Sequence, residues 1–328
     1  MKRKSLAILG VVALLLIGGG LARQSHLDYS PANRELPAEF TPFYMDKLAR
    51  SKDDGVRPGN EERLLKTSPK ARLAFLYIHG FGASRAEGEA IMDPLARKYN
   101  ANVYYLRLPG HGTHMDDHAG RTYQEYLDLV TESFQMTRKL GDKVVIVGSS
   151  TGGLLATYLA ARFPDQVAGF VVTSPLYGFA DPGSVLLGVP GGLQLIETLY
   201  GKERNAGWTT DPEQRKQPGY EDYWLVRQQY RALVILDRLL RTVVDEDLLS
   251  EIKAPLLLLY YYKDEENKDT VIDLDKMHRV FDQIGTPAEM KRKVAIADGN
   301  HILTSAYVRT DKEKIMGEMT SFLDSLLK

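Results

Sequence analysis

Cysteine is missing from all 328 residues. Its absence excludes disulfides, thiolate metal sites, a cysteine nucleophile and the lipidated cysteine that attaches bacterial lipoproteins. An excess of either charge is missing too. Forty-two Lys and Arg stand against 43 Asp and Glu, a formal net charge of −1, so no global field gathers nucleic acid or another polyanion. Also absent are a Gly-x-Gly-x-x-Gly or Walker-type phosphate loop, an internal repeat and a low-complexity tract. No cofactor, no resident metal and no nucleic-acid partner are therefore expected. What is present, 44% apolar and 26% charged residues, is enough to bury a full core.

The longest apolar run lies at the N-terminus. Lys2-Arg3-Lys4 precedes an uncharged stretch at 5–22, and Arg23 follows. A basic head before an apolar run is a targeting signal. Its length lies where cleaved signals and spanning helices overlap. Residues 1–23 are read as a membrane anchor that places the rest on the non-cytoplasmic side. The alternative is cleavage after Gly20-Leu21-Ala22, which would give a secreted or periplasmic protein. Residues 24–70 are polar and Pro-rich and read as a stalk or linker, with one short helix near 43–50.

From residue 71 onward, short apolar runs alternate with helical stretches. Strands are expected at 72–79, 103–108, 143–147, 167–173, 255–262 and 291–297. Helices are expected at 87–99, 121–140, 152–163, 274–284 and 312–327. Continuous apolar strands separated by helices imply an α/β fold, a doubly wound and mostly parallel sheet covered on both faces. The rhythm breaks at about 176–253. No strand is evident there, Gly and Pro are frequent up to Gly192, and helical segments such as 223–241 follow, the pattern of an inserted helical cap.

The strongest chemical signal is Gly148-Ser149-Ser150-Thr151-Gly152, where an apolar strand runs directly into a helix. A serine on such a turn is exposed at the strand end, flanking glycines let neighbouring backbone pass, and the helix N-terminus favours developing negative charge. Ser150 is the expected nucleophile. Ser149 is the competing hydroxyl, but its frame would put Val147 where the first glycine belongs.

With these residues the chain, from about 72 to 328, resembles the α/β-hydrolase family, nearest its monoacylglycerol-lipase-like and serine-aminopeptidase-like branch. Ile78-His79-Gly80-Phe81-Gly82 follows the first core strand, where that family places an oxyanion loop. The resemblance implies that the backbone N–H groups of Phe81 and Thr151 would stabilise a tetrahedral oxyanion. Leu108-Pro109-Gly110-His111-Gly112 is similar to the family's Gly-His-Gly turn, and Asn300-His301-Ile302-Leu303-Thr304 to its histidine loop.

A serine hydroxyl needs a base with a pKa near 7. Of seven histidines, His26 lies in the stalk and His278 on an amphipathic helix. His114 and His118 occupy a polar loop read as surface, and the family likeness makes His79 and His111 structural. His301 follows the last strand and completes the order Ser…Asp…His. The acid should follow the strand at 255–262. Asp269 is favoured, because Asp269-Thr270-Val271-Ile272 resembles the family's acid followed by an apolar pair. Asp264, nearer the strand end, stays open as the alternative. Asp116 and Asp117 with His111, His114 and His118 read as a polar loop rather than a metal cluster, since their spacing is irregular.

The resemblance implies a serine hydrolase that cleaves carboxylic esters, lipid-like or short-acyl, through Ser150, His301 and Asp269. A peptidase, a thioesterase or an acyltransferase would use the same triad. A non-catalytic binding protein on the same scaffold is the remaining alternative. The expected partners are a small ester substrate and, through residues 1–23, a membrane; oligomeric state is left open.

Overall fold

All six apolar runs form strands whose ends lie within three residues of expectation. The structure, a computed structural model, describes residues 26–32, 34–69, 71–206 and 217–328. Its first half contains α1 (Phe40–Asp53), β1 (Arg63–Leu65), β2 (Ala71–Ile78), α2 (Glu89–Tyr99), β3 (Asn102–Tyr105), α3 (Met115–Ala119) and α4 (Tyr123–Thr137). Then come β4 (Gly141–Ser149), α5 (Thr151–Arg162), β5 (Val167–Thr173), α6 (Gly192–Tyr200), β6 (Glu203–Asn205), α7 (Tyr220–Tyr223) and β7 (Arg227–Gln229). The last elements are α8 (Leu233–Val243), α9 (Glu246–Ser250), β8 (Leu256–Tyr261), α10 (Leu274–Gln283), β9 (Lys291–Ile296) and α11 (Lys312–Leu327).

Seven strands form one sheet in the order β1-β3-β2-β4-β5-β8-β9, parallel throughout except for β1 against β3. Side chains of successive strand residues point to opposite faces, so continuous apolar runs feed two cores. Leu76 and Ile78 of β2 join Ile146 and Val172 beneath α4, α5 and α8. Phe75 and Tyr77 join Val145 and Val171 beneath α2 and α11. From β2 the chain steps out to β3 on one side and returns to β4 on the other. That reversal opens a crevice at the carboxyl ends of β2 and β4, where ligands bind in sheets of this kind.

Three expectations are corrected. Within 24–70, the segment read as a stalk, α1 is packed into the domain. Phe40 and Phe43 are buried against Tyr104, with ring centroids 5.1 and 6.0 Å away, and Lys47 pairs with Glu132. Phe40, Phe43 and Lys47 share one helical face at spacings of three and four, too short a pattern to outweigh the surrounding polar residues in sequence. Secondly, the connection between β5 and β8, expected to be helical, also holds the two-stranded ribbon β6–β7. The expected helix at 223–241 breaks at Trp224, because the N–H of Leu225 bonds the carbonyl of Gly82 (2.7 Å) and β7 pairs with β6. Tertiary pairing here overrides helical propensity. Thirdly, His118, expected on the surface, is fully buried in α3. The anchor or signal expected at 1–23 lies outside the described residues. Among those described, no helix is long and apolar enough to cross a membrane.

Candidate active site

Ser150 sits on the turn from β4 into α5 with φ +51° and ψ −113°. A non-glycine residue in that region carries about 1–3 kcal/mol of strain and persists only where its surroundings hold it. They do so here through three backbone bonds: Ser150 N–H to Thr173 O (2.9 Å), and Leu154 and Leu176 N–H to Ser150 O (3.1 and 3.0 Å). The flanking glycines are steric necessities. A Cβ on Gly148 would lie 2.1 Å from the Gly152 carbonyl oxygen, and one on Gly152 would lie 1.9 Å from that of Ile78.

His301 lies in the loop after β9, with its neighbours Ile302 and Leu303 buried. Its Nε2 is 3.0 Å from Ser150 Oγ and its Nδ1 is 2.7 Å from Asp269 Oδ2. A carboxylate only accepts, so the proton resides on Nδ1 and Nε2 faces the serine hydroxyl as an acceptor. The N–H of Val271 donates to Asp269 Oδ1 (2.9 Å) and holds the carboxylate in place. Asp269 reaches His301 because the chain leaves the sheet at Tyr262 and returns at Lys268, where the two form an isolated bridge. The Asp269 N–H then bonds the carbonyl of Tyr261 at the end of β8 (3.1 Å). Asp264 sits in the excursion between them, turned to its own loop, accepting from Asn267 Nδ2 and from the N–H groups of Glu266 and Asn267. The structure therefore brings Asp269, and not Asp264, to His301.

The loop after β2 runs beside Ser150, since Ile78 is paired with Gly148. The Phe81 N–H takes part in no hydrogen bond among the described residues, and Thr151 opens α5, where N–H groups have no intrahelical partner. Both residues border the same cavity as Ser150 and His301. Two histidines brace the loop. His79 Nδ1–H donates to Gly80 O (2.8 Å) and its Nε2 accepts from the Leu108 N–H (3.1 Å). His111 Nδ1–H donates to Pro109 O (3.0 Å) and its Nε2 accepts from the Gly82 N–H (2.9 Å). Burial holds both rings below their ordinary range, His79 at about 4, so both are neutral struts.

Sequence reasoning missed Glu87. The sequence pattern places it at the start of a helix, where a glutamate is ordinarily solvated, but it is fully buried in a short 3-10 turn. Its Oε2 accepts from the Gly80 N–H (2.6 Å) and Tyr77 OH (3.3 Å), and its carbonyl accepts from Thr304 Oγ1 (2.7 Å). It thereby ties the loop after β2 to the loop that carries His301. Burial pushes its carboxyl up to about 7 against the lowering pull of the Gly80 N–H and of His301. No local pattern marks such a residue. Among the described residues no cluster of His, Asp or Glu would hold a metal ion. Asp117 pairs with Arg121, Asp116 accepts from Gln229 Nε2, and His118 packs tilted against Phe81.

Above the serine lies a cavity of about 650 Å³. Leu186, Leu187, Ile196, Leu233 and Leu236 from the β5–β8 connection form its apolar wall, and Ser150 and His301 border it.

The sequence pattern of the alpha/beta hydrolase family matches residues 75–310. A thermostable monoacylglycerol lipase from Bacillus sp. (strain H-257) is 32% identical over 130 residues, covering 39% of this chain and 49% of that protein. The pimeloyl-[acyl-carrier protein] methyl ester esterase of Neisseria meningitidis serogroup C is 30% identical over 113 residues, 34% of this chain and 41% of that enzyme. The matches thus span half or less of these relatives. Among solved structures, one reported for the metagenome-derived lipolytic enzymes LipS and LipT superimposes with TM-score 0.65 at 21% identity, covering 82% of this chain and 99% of that one. The monoacylglycerol lipase of Paleococcus ferrophilus superimposes with TM-score 0.58 at 19% identity, covering 81% and 99%. At these identities the likeness establishes the fold.

Proposed function

The chain belongs to the alpha/beta hydrolase family, and from that premise we propose that it hydrolyses carboxylic esters through Ser150, His301 and Asp269. The observation that carries this reading is the unbroken line Asp269 Oδ2, His301, Ser150 Oγ, with contacts of 2.7 and 3.0 Å. Ser150 Oγ attacks the ester carbonyl as His301 Nε2 takes its proton. Asp269 keeps the second ring proton on Nδ1 and stabilises the imidazolium that forms. The developing oxyanion is received by the N–H groups of Phe81 and Thr151. His301 then returns the proton to the departing alkoxide, leaving an acyl-enzyme, and the same groups direct water onto it.

The connection at 176–253 acts as a cap, and its leucines and isoleucine suit an aliphatic chain. The names of the lipase and esterase relatives agree with an ester substrate. The basic head and apolar run at 1–23 support a place at a membrane with the hydrolase on the non-cytoplasmic side, a reading carried by sequence alone. A fluorophosphonate probe is expected to label the purified protein, and Ser150→Ala is expected to abolish both labelling and turnover of a short-chain p-nitrophenyl ester. Labelling that survives in Ser150→Ala overturns the nucleophile. Faster turnover of a matched anilide than of the ester overturns the substrate class in favour of a peptidase.

A further inference from the structure

One charged side chain in the cavity has no role in ester cleavage. Arg204 of β6 is half-buried and lines the cavity together with Ser150 and His301. Its cross-strand partner on the ribbon is Gln228, and partners directly opposite in an antiparallel pair project to the same face. Gln228 is buried against the oxyanion-type loop, where a Cβ built on Gly82 would meet its Nε2 at 2.5 Å. The inner ribbon face that carries Arg204 therefore lies beside the place where an ester carbonyl would sit.

Two other described arginines nearby are satisfied. Arg227, one residue from Gln228 and so on the outer face, pairs with Glu203, and Arg231 lies 3.8 Å from Asp116. Apart from the backbone pairing of the ribbon, the Arg204 guanidinium has no ion pair or hydrogen bond among the described residues. Asp181 and Tyr230 lie close enough to favour its charge, but burial outweighs them and holds the guanidinium below its ordinary range. The Asp181 carboxylate is turned to the N–H of Gly183 (2.8 Å). A partly desolvated guanidinium without a partner is costly, and a ligand anion in the cavity would relieve that cost. The planar fork of arginine matches a carboxylate with two parallel hydrogen bonds. A single cation among the described lining residues, with Asp181 bordering the same cavity, suits a monoanion better than a dianion.

We propose that Arg204 is a specificity-determining residue that binds a free carboxylate on the substrate, making the preferred substrates esters that carry an aliphatic chain and one carboxylate, such as half-esters of dicarboxylic acids. The proposal rests on the esterase reading for turnover, but not for binding.

Two readouts keep these separate. The first compares kcat/KM for an aryl ester with an ω-carboxylate on its acyl chain against the neutral ester of equal length. The wild-type protein should prefer the carboxylate by about 10- to 100-fold, the worth of a hydrogen-bonded charge pair. Arg204→Met should lose most of that preference, Arg204→Lys should restore part of it, and Arg227→Met on the outer face should leave the ratio in place. The second readout is calorimetric binding of monoethyl adipate to Ser150→Ala protein, expected to weaken by a similar factor when Arg204→Met is added. A wild-type preference for the neutral ester overturns the proposal, as does an equal change of ratio in the Arg204 and Arg227 variants. Where no ester is turned over, loss of monoethyl adipate binding with Arg204→Met upholds the carboxylate site while the esterase reading falls, and unchanged binding overturns both.

Discussion

An aspartate that follows a strand orients an imidazole only when its carboxylate turns inward, and Asp264 and Asp269 differ in that respect. Asp269 is 3% exposed and bonded to His301 Nδ1. The exposed Asp264 is committed to its own loop, and bonding to Asn267 holds its carboxyl below the usual carboxylate range. In the proposed mechanism Asp269→Asn leaves the imidazole in the wrong tautomer, and kcat for ester hydrolysis should fall by about 10⁴-fold. Asp264→Asn should stay near wild type. Steady-state kinetics on one ester decides it, and equal losses would remove Asp269 from the mechanism. Ser150 was legible in sequence because its signal is local: strand, turn and helix in one stretch, with glycine where backbone passes backbone. The acid was legible only in part: the likeness of Asp269-Thr270-Val271-Ile272 favoured Asp269, but Asp264 stayed open because sequence separation says nothing of a loop that folds out and returns to the strand it left.

At the scale of elements, α1 carries the clearest consequence. Its aromatic face fills the core beside Tyr104, so Phe43→Ala should destabilise the domain by about 3–5 kcal/mol, the usual cost of removing a buried phenylalanine. Urea unfolding of the purified protein measures this, and a loss under about 1 kcal/mol would mean that α1 is only loosely attached. Strands and helices with a sustained period were legible within a few residues. Three-residue strands were not: β1, β6 and β7 exist because a partner strand lies alongside, and three residues hold too little alternation to read. The same brevity hid the ribbon that carries Arg204.

For the molecule as a whole, the buried ionisable groups set a dependence of stability on pH. The His118 ring packs tilted against Phe81, centroids 4.3 Å apart, with neither ring nitrogen bonded among the described residues. Burial holds its pKa at about 3, below the ordinary 6.5. The fold thus favours neutral His118, and its contribution is complete above about 6.5 and is lost as pH falls towards 3. At pH 5 the loss should be about 2 kcal/mol relative to pH 8. Glu87 acts in the opposite sense. Its protonated form is favoured, so its contribution is present below 4.5 and lost as pH rises through about 7. His118→Phe keeps the aromatic contacts and removes the titration, so its stability should fall less than that of the wild type between pH 8 and pH 5. Denaturant melts at the two pH values test this, and identical losses would show that His118 is accessible to protons. The sequence by itself determined the layered α/β architecture and the placing of Ser150 and His301 at strand ends, because these follow from side-chain period, glycine sterics and chain order, all properties of contiguous residues. Only the tertiary structure decided which aspartate meets His301, that Glu87 and His118 are buried, and that Arg204 borders the same cavity as Ser150 with its guanidinium unpaired among the described residues. Each of these depends on what distant chain packs against the residue, and burial and charge pairing are properties of that packing.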